Sequence, residues 1–179
     1  MAAGATIYTF TVNLADVDRG VYEQLELRVA RHPSETAEYM VARVLAYCLE
    51  YEEGIAFGGG ISAVDEPAVL VRDLTGLIRA WIEVGAPDAE RLHAGSKQAD
   101  RTVIYTHRDP AKLLPQWAGK KIHRADEIVL HSFDPGFVDE VAGRIGRRTE
   151  LSLSVTEHQL YLELDGTTLT SAVHDHPLA

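Results

Sequence analysis

Residues 65–88 read DEPAVLVRDLTGLIRAWIEVGAPD, and this stretch decides the fold class. Asp65 and Glu66 precede Pro67, and the run Ala68-Val69-Leu70-Val71 that follows has strand character. Asp73-Leu74-Thr75-Gly76 carries turn chemistry, because Asp bonds its own backbone two residues on and Gly accepts left-handed torsions. Leu77 to Val84 (LIRAWIEV) is a second strand, so residues 65–84 are predicted to form a hairpin. Gly85-Ala86-Pro87 breaks it, and Asp88 can cap a helix to about Ala99. Strand parity puts Trp81 and Glu83 on one face, opposite Ala80, Ile82 and Val84. If that face is buried, a carboxylate beside a large aromatic needs a partner, a metal or water.

Toward the N-terminus, His32-Pro33-Ser34 predicts a helix start. Ser34 is the expected N-cap, Glu35 and Glu38 lie in the first turns, and Gly54 is the expected stop after about Glu53. Residues 55–64, with Gly58-Gly59-Gly60, read as a loop or short bent strand. Before the helix, Thr6–Leu14 and Val21–Val29 alternate with period two and are expected to pair antiparallel. Leu25, Leu27 and Val29 point inward; Gln24, Glu26 and Arg28 point outward.

Toward the C-terminus, Thr102–Thr106 and Glu127–His131 read as short buried strands. Asp109-Pro110 and Asp134-Pro135 both predict helix starts. Three strands are expected over 151–155, 159–164 and 167–173, with Asp165-Gly166 as a hairpin turn and His174–Ala179 frayed. The order predicts an α/β protein: a mixed sheet flanked by helices, with antiparallel strand additions at both ends.

Composition bounds the rest. At 179 residues the chain suits one domain, or at most two very small ones, and it is read as a single domain over 1–179. Hydrophobic residues at 46% and charged residues at 25% exclude disorder, collagen and coiled coil as the main class. Cys48, the single cysteine, lies in a helical apolar run and cannot close an internal disulfide. The N-terminus lacks a basic region followed by a long apolar run, and no stretch approaches the roughly 18 apolar residues of a membrane span. The expected location is the cytoplasm. No nucleophile elbow, phosphate loop or dinucleotide fingerprint is present.

Chemistry is therefore expected around the hairpin. Two carboxylates from adjacent strands can converge on one hard divalent cation, which takes oxygen ligands and lowers the pKa of an attacking water. Strand, turn and a strand ending in a carboxylate resemble the core of the PD-(D/E)xK nuclease superfamily. Glu66-Pro67 stands at the first acidic position, with Asp65 just before it, and Ile82-Glu83-Val84-Gly85 stands at the second. Closer still, Ala5-Thr6-Ile7-Tyr8, Arg31-His32-Pro33-Ser34-Glu35-Thr36, Asp65-Glu66-Pro67, Trp81 to Asp88 and Gln98-Ala99 resemble the YaeQ-like family of small bacterial proteins. That resemblance implies a restriction-endonuclease-like fold, an α-β-β-β-α-β core, and a metal-dependent nuclease site. Asp65, Glu66 and Glu83 would hold Mg²⁺ or Mn²⁺, and Glu35 would assist.

One departure matters. The lysine expected two residues after Glu83 is Gly85. In some superfamily members the polar group moves to the next helix, where Lys97 and Gln98 are the candidates. The alternative is a nuclease-fold protein without catalysis that binds nucleic acid or a protein partner. For Glu83 itself, the bland alternative is an ion pair with Arg72 or Arg79.

The formal charge is −10, so phosphate contacts must come from local patches. Two basic groups qualify: Arg108, Lys112, Lys120, Lys121 and Arg124, and Arg144, Arg147 and Arg148.

Overall fold

The N-terminal alternation folds as read. β1 (Thr6–Asp16) pairs antiparallel with β2 (Val21–Arg31), with Phe10 opposite Leu27 and Val12 opposite Leu25. Phe10, Val12, Leu25, Leu27 and Val29 are buried. The structure, a computed structural model, describes residues 4–59 and 65–178, which form ten strands and four helices. Residues 60–64, within the predicted bend, lie outside the described residues.

The chain divides into two compact units. The first takes residues 1–41 and 133–174; the second takes 42–132 and the last five residues, 175–179. In the first unit, β1 pairs on its other side with β8 (Arg148–Thr156), in parallel. β8 then pairs antiparallel with β9 (Gln159–Leu164), and β9 with β10 (Thr167–Pro177). The ends are therefore not two separate additions: they share one sheet. At the β9–β10 turn, Asp165 and Gly166 both take positive φ, at 51° and 75°. That handedness matches the strand twist. α4 (Phe137–Ala142) also belongs to this unit, but Gly136, not Asp134, is its N-cap. The Asp134 carboxylate instead accepts from Ala172 N and meets His174 Nε2 at 2.7 Å.

α1 (Ala37–Leu49) begins in the first unit and ends in the second. Its start is corrected from Ser34 to Thr36, whose Oγ1 accepts from Tyr39 N, while Ser34 bonds His32. The helix ends well before Glu53. Met40, Val44, Leu45 and Cys48 form its buried stripe, as the spacing predicts.

The second unit builds the hairpin. β3 (Ile55–Phe57), β4 (Val69–Arg72) and β5 (Ile78–Val84) run antiparallel in that order. β6 (Arg101–Thr106) lies parallel to β5, and β7 (Val129–Phe133) parallel to β6, apart from Phe133, which falls in the first unit. α2 (Ala89–Ser96) is capped by Asp88, and α3 (Pro110–Trp117) by Asp109 with Pro110 in the first turn, as expected. Leu92, Ile104, Leu113, Trp117, Ile128 and Leu130 pack together as a core. The predicted frayed end is strand as far as Pro177. In this unit Asp175 Oδ1 meets His131 Nδ1 at 2.6 Å, and His176 Nε2 lies 3.0 Å from Ser132 Oγ.

Candidate functional site

β5 is apolar on both faces, so every residue from Ala80 to Val84 is buried, and Glu83 with them at 2% exposure. An unpaired carboxylate there would be untenable. Its partners come from two directions. Trp81, on the same face two residues earlier, donates its indole Nε1–H to Glu83 Oε2 at 3.1 Å. Arg91, in the first turns of α2, donates its Nε–H to the same oxygen at 2.6 Å. Ala68 N–H adds a backbone bond. Burial pushes the Glu83 carboxyl above the usual carboxylate range, and Arg91, Trp81 and Ala68 oppose that rise without cancelling it.

Local structure aims these groups. Asp88 accepts from Arg91 N at 2.8 Å, so the cap that starts α2 also fixes the backbone of the ion-pairing arginine. Gly95, one turn on, faces the Trp81 ring: a Cβ there would sit 2.4 Å from Cε2 and 2.5 Å from Nε1. The helix lies this close to the indole only because position 95 has no side chain. Gly58 plays a matching part at the hairpin. Its N–H donates to Ala68 O, and a Cβ on it would meet Pro67 O at 1.9 Å.

The expected acids divide. Glu66 is drawn to the same place through its backbone: its carbonyl accepts from Arg91 Nη2. Its carboxylate turns to Gly59, accepting that N–H at 3.0 Å. Asp65 is exposed in a bend. Glu35 belongs to the first unit, where its carboxylate accepts from His32 N and its carbonyl from Arg31 Nε. Lys97 and Gln98 lie exposed at the far end of α2, Gln98 reaching only Ala94 O at 3.4 Å. Lys97 is six residues past Arg91, about 9 Å along the axis. Neither joins Glu83. Arg79 pairs with Asp73 and Asp100, and Arg72 with Gly76 O, so neither expected arginine neutralises Glu83.

Arg91 is the residue the sequence reading missed. Its signal was position: the third residue after a capping Asp, on a helix entered by a tight turn from a carboxylate-bearing strand. Arg43 was missed as well. It is 2% exposed on α1, with its guanidinium over the Phe57 ring at 5.7 Å.

The donor set does not fit a Mg²⁺ centre. Glu83 Oε2 faces a guanidinium and an indole N–H, and Glu66 Oε2 a backbone N–H, so these two oxygens serve donors already in place. Among the described residues, no three His, Cys, Asp or Glu side chains group as metal ligands.

Of the expected phosphate contacts, Arg124 is otherwise engaged. At φ 52° it turns its guanidinium onto the carbonyls of Ser96, the last residue of α2, and of Ala99 and Asp100 beyond it. Lys112, Lys120 and Lys121 are exposed in the second unit, and Arg144, Arg147 and Arg148 in the first.

A family model described as "YaeQ protein" matches residues 1–173. The chain belongs to the YaeQ family. A YaeQ relative from Salmonella typhi is 40% identical over 163 residues, 90% of each chain. One from Escherichia coli K12 is 41% identical over 111 residues, and that match spans 62% of this chain and 61% of the relative. Both are described as "Uncharacterized protein YaeQ". The crystal structure of YaeQ from Pseudomonas syringae, 34% identical, matches with a TM-score of 0.84 over 96% of this chain and 95% of that one. The YaeQ structure from Xanthomonas axonopodis pv. citri, 26% identical, gives 0.85 over 96% and 98%. In this YaeQ-family chain, no described helix is long and apolar enough to cross a membrane.

Proposed function

We propose that this chain is a non-hydrolytic relative of the PD-(D/E)xK nucleases that binds nucleic acid. The carrying observation is the ion pair of Arg91 with Glu83, which spends the second acidic position of the motif on a protein cation at 2.6 Å. A nuclease centre needs that carboxylate open to a metal. Support for the nuclease ancestry comes from residues 37–106. Their order is helix, three antiparallel strands, helix and a strand parallel to the third. That order is compatible with the α-β-β-β-α-β core which the resemblance implies, and supports this reading. Support for nucleic acid comes from the exposed Lys112, Lys120 and Lys121, a basic group on a chain of net charge −10.

The test is fluorescence anisotropy with labelled single- and double-stranded oligonucleotides lacking a 5′-phosphate, across a salt series, with cleavage followed in Mg²⁺ and in Mn²⁺. Binding that weakens with salt and on combined Lys112→Ala, Lys120→Ala and Lys121→Ala substitution is expected, without cleavage. Cleavage that disappears in Glu83→Ala would show instead that Arg91 yields to a metal and that the site is hydrolytic. Salt-independent or undetectable binding removes nucleic acid as the ligand.

A further inference from the structure

The first unit carries a groove of about 1060 Å³ on the solvent face of β2–β1–β8, which shares no lining residue with the Glu83 site. Strand register sorts its charges into two rows. Thr9 lies opposite Arg28 on one side and Arg148 on the other, giving a row Arg–Thr–Arg. Two residues along, Thr11 lies opposite Glu26 and Glu150, giving a row Glu–Thr–Glu. All six line the groove. The rows are about 6.8 Å apart, and Arg28 and Arg148 rise from strands about 10 Å apart, so both guanidiniums can close on one anion above Thr9.

The turn before β8 adds Arg144 and Arg147 at the basic end. Arg147 is held in place: its Nε donates to Ile7 O at 3.0 Å, and its guanidinium lies over the Tyr8 ring at 5.6 Å. Arg28, Arg144 and Arg148 make no side-chain hydrogen bond or ion pair among the described residues. A face arranged to neutralise itself would pair its rows. Here the acidic row instead takes a hydroxyl, Thr11 Oγ1 donating to Glu26 Oε2 at 3.2 Å. Arg28, Arg144 and Arg148 lining the groove of an acidic chain, with acceptors beside them, make a divided site: one end for an anion, the other for hydrogen-bond donors.

We propose that this groove binds a ribose phosphate, with a terminal phosphate on Arg28, Arg148 and Arg144 and the vicinal ribose hydroxyls on Glu26 and Glu150. A phosphate monoester is dianionic and suits several guanidiniums at once. A diol donates two hydrogen bonds, which the acceptor-only carboxylates satisfy. The internal phosphodiesters of a polymer lying along the strands would instead bring successive negative charges onto the glutamate row. The ligand therefore presents one phosphate, either as a free 5′-ribonucleotide or as the 5′-phosphorylated end of an RNA. This goes beyond the nucleic-acid reading, which rests on lysines of the other unit.

The experiment is titration calorimetry of the full chain with 5′-AMP, 5′-dAMP, inorganic phosphate and phosphoethanolamine. A short RNA with and without its 5′-phosphate is added as a further arm. 5′-AMP is expected to bind most tightly among the small molecules. Arg28→Ala and Arg148→Ala are each expected to weaken it about tenfold or more, with circular dichroism unchanged because both side chains are exposed. The combined Glu26→Ala and Glu150→Ala substitutions are expected to abolish the preference over 5′-dAMP. RNA binding that requires the 5′-phosphate and falls with Arg28→Ala assigns the source to an RNA end; AMP binding without it assigns a free nucleotide. Equal affinity for 5′-AMP and inorganic phosphate, tighter binding of phosphoethanolamine, or AMP binding unchanged in both arginine variants would each overturn the proposal. Failure of the unphosphorylated oligonucleotides to bind leaves it standing and counts only against the nucleic-acid reading.

Discussion

At Glu83 a single carboxylate carries most of the argument, and its surroundings set what substitution should do. Removing one partner of a buried ion pair leaves a charge without compensation, at a cost of about 3–5 kcal/mol. Arg91 retains 25% side-chain exposure, so Arg91→Ala is expected near the low end, about 3 kcal/mol at neutral pH by chemical denaturation. The pH dependence has a definite sign. Glu83 titrates above the usual carboxylate range in the folded chain, and losing Arg91 raises it further. Between the unfolded and folded pKa values the native state binds the extra proton, so stability conferred by the protonated form is lost as pH rises through that window. The deficit of Arg91→Ala should therefore shrink on acidification and be partly relieved at neutral pH by adding Glu83→Gln. A deficit that is constant with pH would mean that Arg91 stabilises through packing alone. Gly95 gives a second test. Gly95→Ala forces the rigid Trp81 ring away, with an expected cost of about 1–3 kcal/mol and altered tryptophan fluorescence. Wild-type stability in that variant would mean the indole has room to move.

Among the elements, α2 shows how end chemistry serves the site. Asp88 satisfies its N-terminus and thereby places Arg91, while Arg124 reaches carbonyls at and just past its C-terminus. Arg124→Ala is expected to cost about 1–2 kcal/mol, because it strips charged donors from those carbonyls. The same variant should leave oligonucleotide affinity unchanged, whereas the Lys112, Lys120 and Lys121 variant should do the reverse. Equal losses in both assays would return Arg124 to the phosphate surface. The sequence displayed the near half of this arrangement. Period two and the Asp73–Gly76 turn predict the hairpin, Asp88 and Asp109 predict their helices, and the parity of Trp81 and Glu83 marks the carboxylate. The partner was hidden because Arg91 meets Glu83 across a strand-to-helix turn, where neither strand nor helix periodicity relates the two positions. Asp134 misled for a related reason. Asp followed by Pro suits a helix start, but here Ala172 N and His174 compete for the carboxylate and hold it below its usual range. No local pattern announces a bond to a strand 38 residues away.

For the molecule as a whole, the pairing that sequence could not disclose is β1 with β8. Both strands read correctly by themselves, yet parallel pairing leaves no turn between partners to read, and Arg147 joins Ile7 across 140 residues. The consequence is that the first unit cannot form from the N-terminal hairpin alone. An isolated two-stranded hairpin is at best marginal in water. In this unit Phe10, Val12 and Leu14 share their burial with Leu151, Leu153 and Leu160. Closing so long a loop before any contact rewards it is also expected to slow the folding of this sheet. A chain ending at Gly146 should therefore lose amide-exchange protection throughout β1 and β2, although those residues are all still present. Adding the separate segment 147–179 should restore protection at Thr9 and Val17, whose N–H groups donate to the carbonyls of Arg147 and Val155. Protection that persists in the shortened chain would mean that the hairpin folds autonomously. The groove of Arg28, Thr9 and Arg148 would then have to be reread as a surface added late to an already stable element.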